Sequence, residues 1–146
     1  MIGYVCVGSN DIPRAKRFYA AVLPALGYSV KEGPEGLSYA LPVPEGQRPL
    51  LPDFYVKPPF DGQTASVGNG TMVAFEAKSQ AQVRSLHTAA LAAGGTDEGS
   101  PGFRADYGPH FYVSYLRDPD GNKIAIYSSD PKEPARGELQ WKNDSL

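Results

Sequence analysis

Two halves of this chain coincide when the first is shifted by 68 positions, and that self-similarity limits the possible folds more than any other feature. Val5 falls on Val73, Val7 on Phe75, Phe18 on Leu86, Leu23 on Leu91 and Gly27 on Gly95. Strand pattern, helix cap, helix phase and terminal glycine agree together, which chance similarity rarely achieves. The chain therefore reads as two copies of one strand–helix–strands unit. At 146 residues it suits one domain built of two small modules around a shared core.

In the first copy, Gly3–Val7 is a short β-rich run. Ser9, Asn10 and Asp11 stand in capping position, with Pro13 in the first turn of a helix. Apolar positions Ala15, Phe18, Tyr19, Val22, Leu23 and Leu26 keep helical spacing, predicting a helix from about Ile12 to Ala25 that Gly27 closes. Short strands are expected at Tyr28–Lys31, Leu37–Pro42 and Pro52–Lys57, made irregular by prolines at 42, 44, 49 and 52. Lys57-Pro58-Pro59-Phe60-Asp61-Gly62 breaks the pattern, so the modules are set at 1–60 and 68–128, joined by a linker at 61–67.

The second copy opens with the strand Thr71–Phe75. A capping box of Ser79 and Gln82 then starts a helix through Ala93, ended by Gly94-Gly95. Ser100–Pro109 reads as irregular. The run Tyr112–Tyr127 is a β-hairpin with its turn written out as Asp118-Pro119-Asp120-Gly121-Asn122. Alternation puts Lys123, Ala125 and Tyr127 on one face of the last strand and Ile124 and Ile126 on the other. From 129 to 146 the tail is polar with two prolines. Trp141 is its one aromatic residue and is expected to pack down, on this chain or on a neighbouring subunit, with this chain the favoured place.

Charge narrows the partners. With 14 basic and 16 acidic residues and no block of one sign, the chain lacks the footprint of a nucleic-acid or anionic-membrane binder. No apolar run approaches the roughly 18 residues a bilayer span needs, and the start lacks a signal-peptide pattern, so a cytoplasmic protein is expected. The single cysteine, Cys6, excludes an intrachain disulfide; no base is placed beside it, and burial as a small apolar residue is the plainer reading.

The segments SNDIPRAKRFYAAVLPALGY, GNGTMVAFEA and YLRDPDGNKIAIY, in that order within two βαβββ copies, resemble the vicinal oxygen chelate superfamily. Glyoxalase I, bleomycin- and fosfomycin-resistance proteins and extradiol dioxygenases belong to it. The resemblance implies an α+β fold of two βαβββ modules pairing into a curved mixed sheet around a cleft, and a homodimer. It also implies a divalent-metal site, with ligands on the first strand of each module and on the last strand of the second. Those positions are Tyr4, Met72 and Ala125. A fourth falls near Asp53, Phe54 and Lys57. Alanine has no donor atom, a thioether suits soft copper(I), and a neutral phenol binds poorly until it loses a proton. One carboxylate at Asp53 would not hold an ion. No metal and no other cofactor is therefore expected.

What the resemblance leaves at the cleft is an aromatic and sulfur lining: Tyr4, Cys6, Phe54, Met72, Tyr112 and Tyr127, around Ala125. As repeat mates, Tyr4 and Met72 are expected to face each other across it. Arg104 and Lys123 are cations able to receive an anionic group, although a solvated charge is the plainer reading of each. His110, just after Tyr107-Gly108-Pro109, is the candidate for a ligand contact or proton transfer; His87 reads as a histidine on a partly exposed helix face. The expected function is binding of a small aromatic or apolar molecule in a metal-free cleft. The alternative is a glyoxalase-family lyase or isomerase, metal-free or with other ligands.

Overall fold

The structure, a computed structural model, describes residues 1–138; Trp141 lies outside the described residues. The first module is β1 (Tyr4–Gly8), α1 (Ile12–Ala20), β2 (Ser29–Gly33), β3 (Gly36–Leu41) and β4 (Leu50–Lys57). The second is β5 (Val73–Glu76), α2 (Gln80–Ala92), β6 (Thr96–Phe103), β7 (Tyr112–Arg117) and β8 (Lys123–Ser128). Each forms a four-stranded mixed sheet, β1-β4-β3-β2 and β5-β8-β7-β6, whose two members of longest sequence separation run parallel. The repeat read from the sequence is thus a structural repeat.

Both helices start at the expected caps. Asp11 Oδ1 accepts from the Arg14 amide at 3.0 Å, and Ser79 Oγ from the Gln82 amide at 3.0 Å. Gln82 returns the bond through Lys78, whose amide reaches its side chain at 2.8 Å. The first helix stops at Ala20 rather than about Ala25, and a 3₁₀ turn at Pro24–Leu26 follows. Pro24 lacks the N–H that would bond Ala20, and its ring would crowd that carbonyl. A second departure is β6, a strand where an irregular stretch was expected. Its ladder to β7 shifts register between Asp97 and Gly99 and again between Gly99 and Gly102, so bulges absorb the glycines and Pro101.

The helix-bearing faces of the two sheets meet in a single core. Phe75 of β5 packs edge-on against Phe54 of β4, centroids 5.2 Å apart, and against Tyr28 at 6.1 Å. Phe54 stands one strand inside the sheet edge, so sheets joined edge to edge would hold these rings about two strand spacings apart, roughly 10 Å. Face-to-face packing is what brings them together. Gly95 lies where Phe18 of α1 meets the end of α2; a Cβ there would stand 2.8 Å from Phe18 Cε2.

Polar contacts lock the same junction. Tyr19 Oη donates to Asp118 Oδ2 at 2.6 Å, Arg14 reaches Asp120 at 3.0 Å, and Asn122 Nδ2 donates to the Gly8 carbonyl at 2.9 Å. The hairpin turn of the second module is in effect a socket for the first helix.

Two core phenols should make stability fall in alkali. Burial, reinforced by Glu32, pushes Tyr39 up to about 12, and burial together with the negative charge of Asp118 raises Tyr19 well above its ordinary value. Below pH 10 both states keep these protons. Above it the unfolded chain releases them while the folded chain does not, so stability falls by about 1.4 kcal/mol per pH unit for each phenol. Tyr39 Oη has no hydrogen-bond partner among the described residues. Tyr39→Phe is therefore expected to stabilise the protein by about 1 kcal/mol at pH 7 and to make the loss between pH 10 and 12 shallower by one phenol. Urea titrations across that range measure both effects; equal slopes would show that the Tyr39 proton is not held.

Candidate functional site

Alternation turns the other face of each sheet outward. On the first sheet that face carries Tyr4 and Cys6 from β1, Ser38 from β3, and Asp53, Tyr55 and Lys57 from β4, in the pairs Tyr4 to Asp53, Cys6 to Tyr55 and Gly8 to Lys57. Tyr4 and Tyr55 lie with centroids 5.3 Å apart, and Lys57 Nζ sits 4.9 Å from the Tyr55 ring. A cavity of about 400 Å³ opens beside them, lined among others by Lys31, Glu35, Ser38, Tyr55 and Lys57.

The outward face of the second sheet carries Met72, Ala74 and Glu76, then Lys123, Ala125 and Tyr127, then Val113, Tyr115 and Arg117. Here a loop, 104–111, folds over the strands. Phe111 stacks on Tyr127 at 5.4 Å, and Tyr107 meets Phe111 edge-on at 5.5 Å. A cavity of about 500 Å³ remains, lined by Met72, Glu98, Gly99, Arg104, Asp106, Tyr107, Tyr115 and Lys123. Ala125 is only 1 % exposed although it faces this side.

Because the modules share their helix-bearing faces, these two outward faces point away from each other. Tyr4, 66 % exposed, and Met72, 43 % exposed, each look into solvent instead of across a common cleft. The sequence leaves open whether the modules pair within one chain or swap between two; inside the single chain Tyr4 and Met72 do not face each other. Four other placements differ from expectation. Phe54 and Tyr112 lie on the helix-bearing side, 3 % and 7 % exposed, where Tyr112 Oη accepts from Arg84 Nη1. Cys6 is exposed rather than buried. His87 is buried, with Nε2 3.0 Å from Asp97 Oδ1. His110 is half-buried at the end of the covering loop, and its Nδ1 has no hydrogen-bond partner among the described residues.

Tyr55, Tyr107, Phe111 and Tyr115 were not among the residues expected from sequence. A signal for Tyr115 existed. A five-residue turn sets Arg117 opposite Lys123, which puts Tyr115 beside Ala125 and sends Tyr112 to the opposite face. No such parity rule reaches the loop residues.

The residues present do not fit a divalent ion. Shifting by 68 carries Cys6 onto Ala74, and the ladder partners of that pair are Tyr55 and Ala125, so the repeat mate of Ala125 is another phenol. Tyr4, Met72, Tyr55 and Ala125 offer two phenols, a thioether and a methyl. Asp53, the ladder partner of Tyr4, adds one carboxylate, whose Oδ2 accepts from Tyr55 Oη at 3.4 Å. Among the described residues no three His, Cys, Asp or Glu side chains come together as an ion site would need.

The C-terminal segment after β8 straps the covering loop. Arg136 Nη1 donates to the carbonyls of Arg104 (2.8 Å), Ala105 (3.2 Å) and Tyr107 (2.9 Å), while its amide donates to Pro109 O at 2.7 Å. Upstream, Glu133 Oε1 accepts from the Gln80 amide at 2.8 Å, tying the strap to the start of α2. Arg136→Ala is expected to speed amide exchange at Tyr107–His110 about tenfold, equivalent to about 1.4 kcal/mol of local opening, without altering exchange in β7 and β8. Hydrogen-exchange mass spectrometry reads this directly, and unchanged protection would remove the strap's role.

Comparison with known proteins agrees with this architecture. Residues 1–126 match the family described as Glyoxalase/Bleomycin resistance protein/Dioxygenase superfamily. A glyoxalase/bleomycin resistance protein from Albidiferax ferrireducens T118 is similar in structure with TM-score 0.73 and 37% identity, covering 89% of this chain and 99% of that one. A glyoxalase/bleomycin resistance protein/dioxygenase family enzyme from Burkholderia phytofirmans PsJN superimposes with TM-score 0.62 at 21% identity, covering 88% and 98%. A glyoxalase I mutant from Zea mays, at 20% identity and TM-score 0.55, is covered over 46% of its length by 87% of this chain. A search of curated proteins found no match. No helix among the described residues is long and apolar enough to cross a membrane. Two strand–helix–strands modules, a DPDG turn seated on the first helix and a family match over residues 1–126 lead to one assignment: the chain belongs to the glyoxalase/bleomycin resistance/dioxygenase superfamily.

Proposed function

We propose that this protein binds a small aromatic or apolar molecule without a metal ion, in a cleft that two copies of the chain build together. The carrying observation is the composition of the outward faces, where phenol, thioether and methyl occupy the ligand positions and Tyr4, Tyr55, Tyr115 and Tyr127 supply flat contact area. Each chain presents two half-faces that point apart, so a second copy is what closes either of them. Among the described residues β1 pairs only with β4 and β5 only with β8, which leaves both edges open to a partner strand. Exposed Met1, Ile2, Leu50 and Leu51 gather at the same end of the first sheet as Tyr4, an apolar surface that a partner would cover.

The test is complementation between damaged copies. One variant carries Tyr55→Lys on the first sheet and the other Tyr115→Lys on the second; each alone loses ligand-dependent thermal stabilisation, scored against an aromatic panel with and without divalent ions. Mixed dimers regain one intact cleft in two and recover binding at half stoichiometry. Failure to recover, or a dependence of binding on added zinc, nickel, manganese or iron, would overturn the proposal, and turnover of any panel member would move the protein to the lyase alternative.

A further inference from the structure

Two cations beside the second sheet, Arg104 and Lys123, line a cavity with Glu98 and Asp106 without forming an ion pair to either among the described residues. Arg104 Cζ stands 5.5 Å and Lys123 Nζ 5.3 Å from the centroid of the same Tyr115 ring. Arg104 is held by backbone oxygens alone, Nη2 to Ser100 O at 2.8 Å and Nη1 to Phe103 O at 3.2 Å. Neither residue has an ion pair among the described residues, whereas Glu98, on the same cavity wall, is taken by Arg117 Nε at 2.6 Å. Asp106, in the same lining, is exposed.

The seat for the guanidinium depends on a bare backbone. A Cβ at Gly99 would come within 3.0 Å of Tyr115 Cδ2 and 3.2 Å of Arg104 Nη2, so a larger residue there would force ring or guanidinium aside. Burial raises the pKa of Tyr115, with Tyr107 contributing and the Arg104 cation opposing, so the net shift is upward and the phenol stays a neutral hydrogen-bond donor. Cations placed against an aromatic floor, with donors alongside and with Met72 and Tyr107 as walls, match a flat molecule carrying one negative charge. With Glu98 paired to Arg117, the Asp106 carboxylate in the same lining offsets one of the two cations and so disfavours a dianion.

We infer that the ligand is an aromatic carboxylate, its ring in the tyrosine-lined space and its carboxylate between Arg104 and Lys123. This rests on the reading of the outward faces as a ligand cleft and names the chemical class that cleft takes. It is tested with the full chain and two probes of one shape, 2-naphthoate and the neutral 2-naphthamide, by isothermal titration calorimetry. The acid is expected to bind about tenfold tighter than the amide, with the advantage shrinking as salt is raised. In the pair of substitutions Arg104→Gln and Lys123→Gln the advantage disappears while amide affinity stays, which also shows that the variant is folded. Lys123→Gln alone, which leaves the backbone hydrogen bonds of Arg104 in place, loses part of the advantage. Equal affinities in the unmodified protein, or an advantage that survives the paired substitution, would overturn the carboxylate inference and leave the aromatic cleft standing. Failure of both probes to bind would overturn the two together.

Discussion

Replacing Asp118 by alanine is expected to cost about 3–5 kcal/mol, enough to unfold a domain of ordinary stability under mild stress. Its carboxylate is 2 % exposed and accepts four hydrogen bonds: from Tyr19 Oη at 2.6 Å, and from the Asp120 amide, the Asn122 amide and Asn122 Nδ2, each at 2.9 Å. Deleting it leaves a buried phenol and the turn's amides without partners, and each orphaned group retains its own desolvation penalty. Tyr19→Phe removes only one of the four bonds, so its cost is expected near 1–2 kcal/mol. A double-mutant cycle in urea separates the Tyr19–Asp118 coupling from the turn's internal bonds. If Asp118→Ala costs less than 1 kcal/mol, the DPDG turn is not the socket that joins the modules.

A second large loss is expected at Phe75, which is 5 % exposed and packs on Phe54 and Tyr28 across the module junction. Phe75→Ala should cost about 3–5 kcal/mol, the range for deleting a buried ring whose site cannot collapse. Tyr4→Ala supplies the contrast. With Tyr4 66 % exposed on the outward face, its truncation is expected to change the stability of the single chain by no more than about 0.5 kcal/mol. Chemical denaturation at concentrations that keep the chain monomeric measures both. Were the modules joined through their outward faces, the order of the two costs would reverse, and the two-copy cleft would lose its basis.

Much of the secondary structure was legible because its signals are local. Caps at Asp11 and Ser79 are one side chain bonding an amide three residues on, and the DPDG turn is set by a proline, a glycine and the Asp118 side chain bonding amides within four residues. The end of α1 is not legible in its apolar spacing, which continues past Pro24 while the hydrogen-bond ladder does not. β6 was missed because Gly99, Pro101 and Gly102 weaken any strand signal, and only pairing with β7 gives their backbone a place.

Two βαβββ copies, their caps, the hairpin register and the residue types at Tyr4, Met72 and Ala125 were all determined by the sequence. Each depends on residue type or on spacings shorter than one repeat. Only the tertiary structure decided that Phe54 and Tyr112 belong to the core, that Arg104 and Lys123 share one tyrosine ring, and that the outward faces turn apart. Alternation in a strand says which side chains share a face but not what that face will meet. That choice was made by contacts between residues far apart in the chain, Tyr19 with Asp118 and Phe54 with Phe75, whose energies no local pattern records.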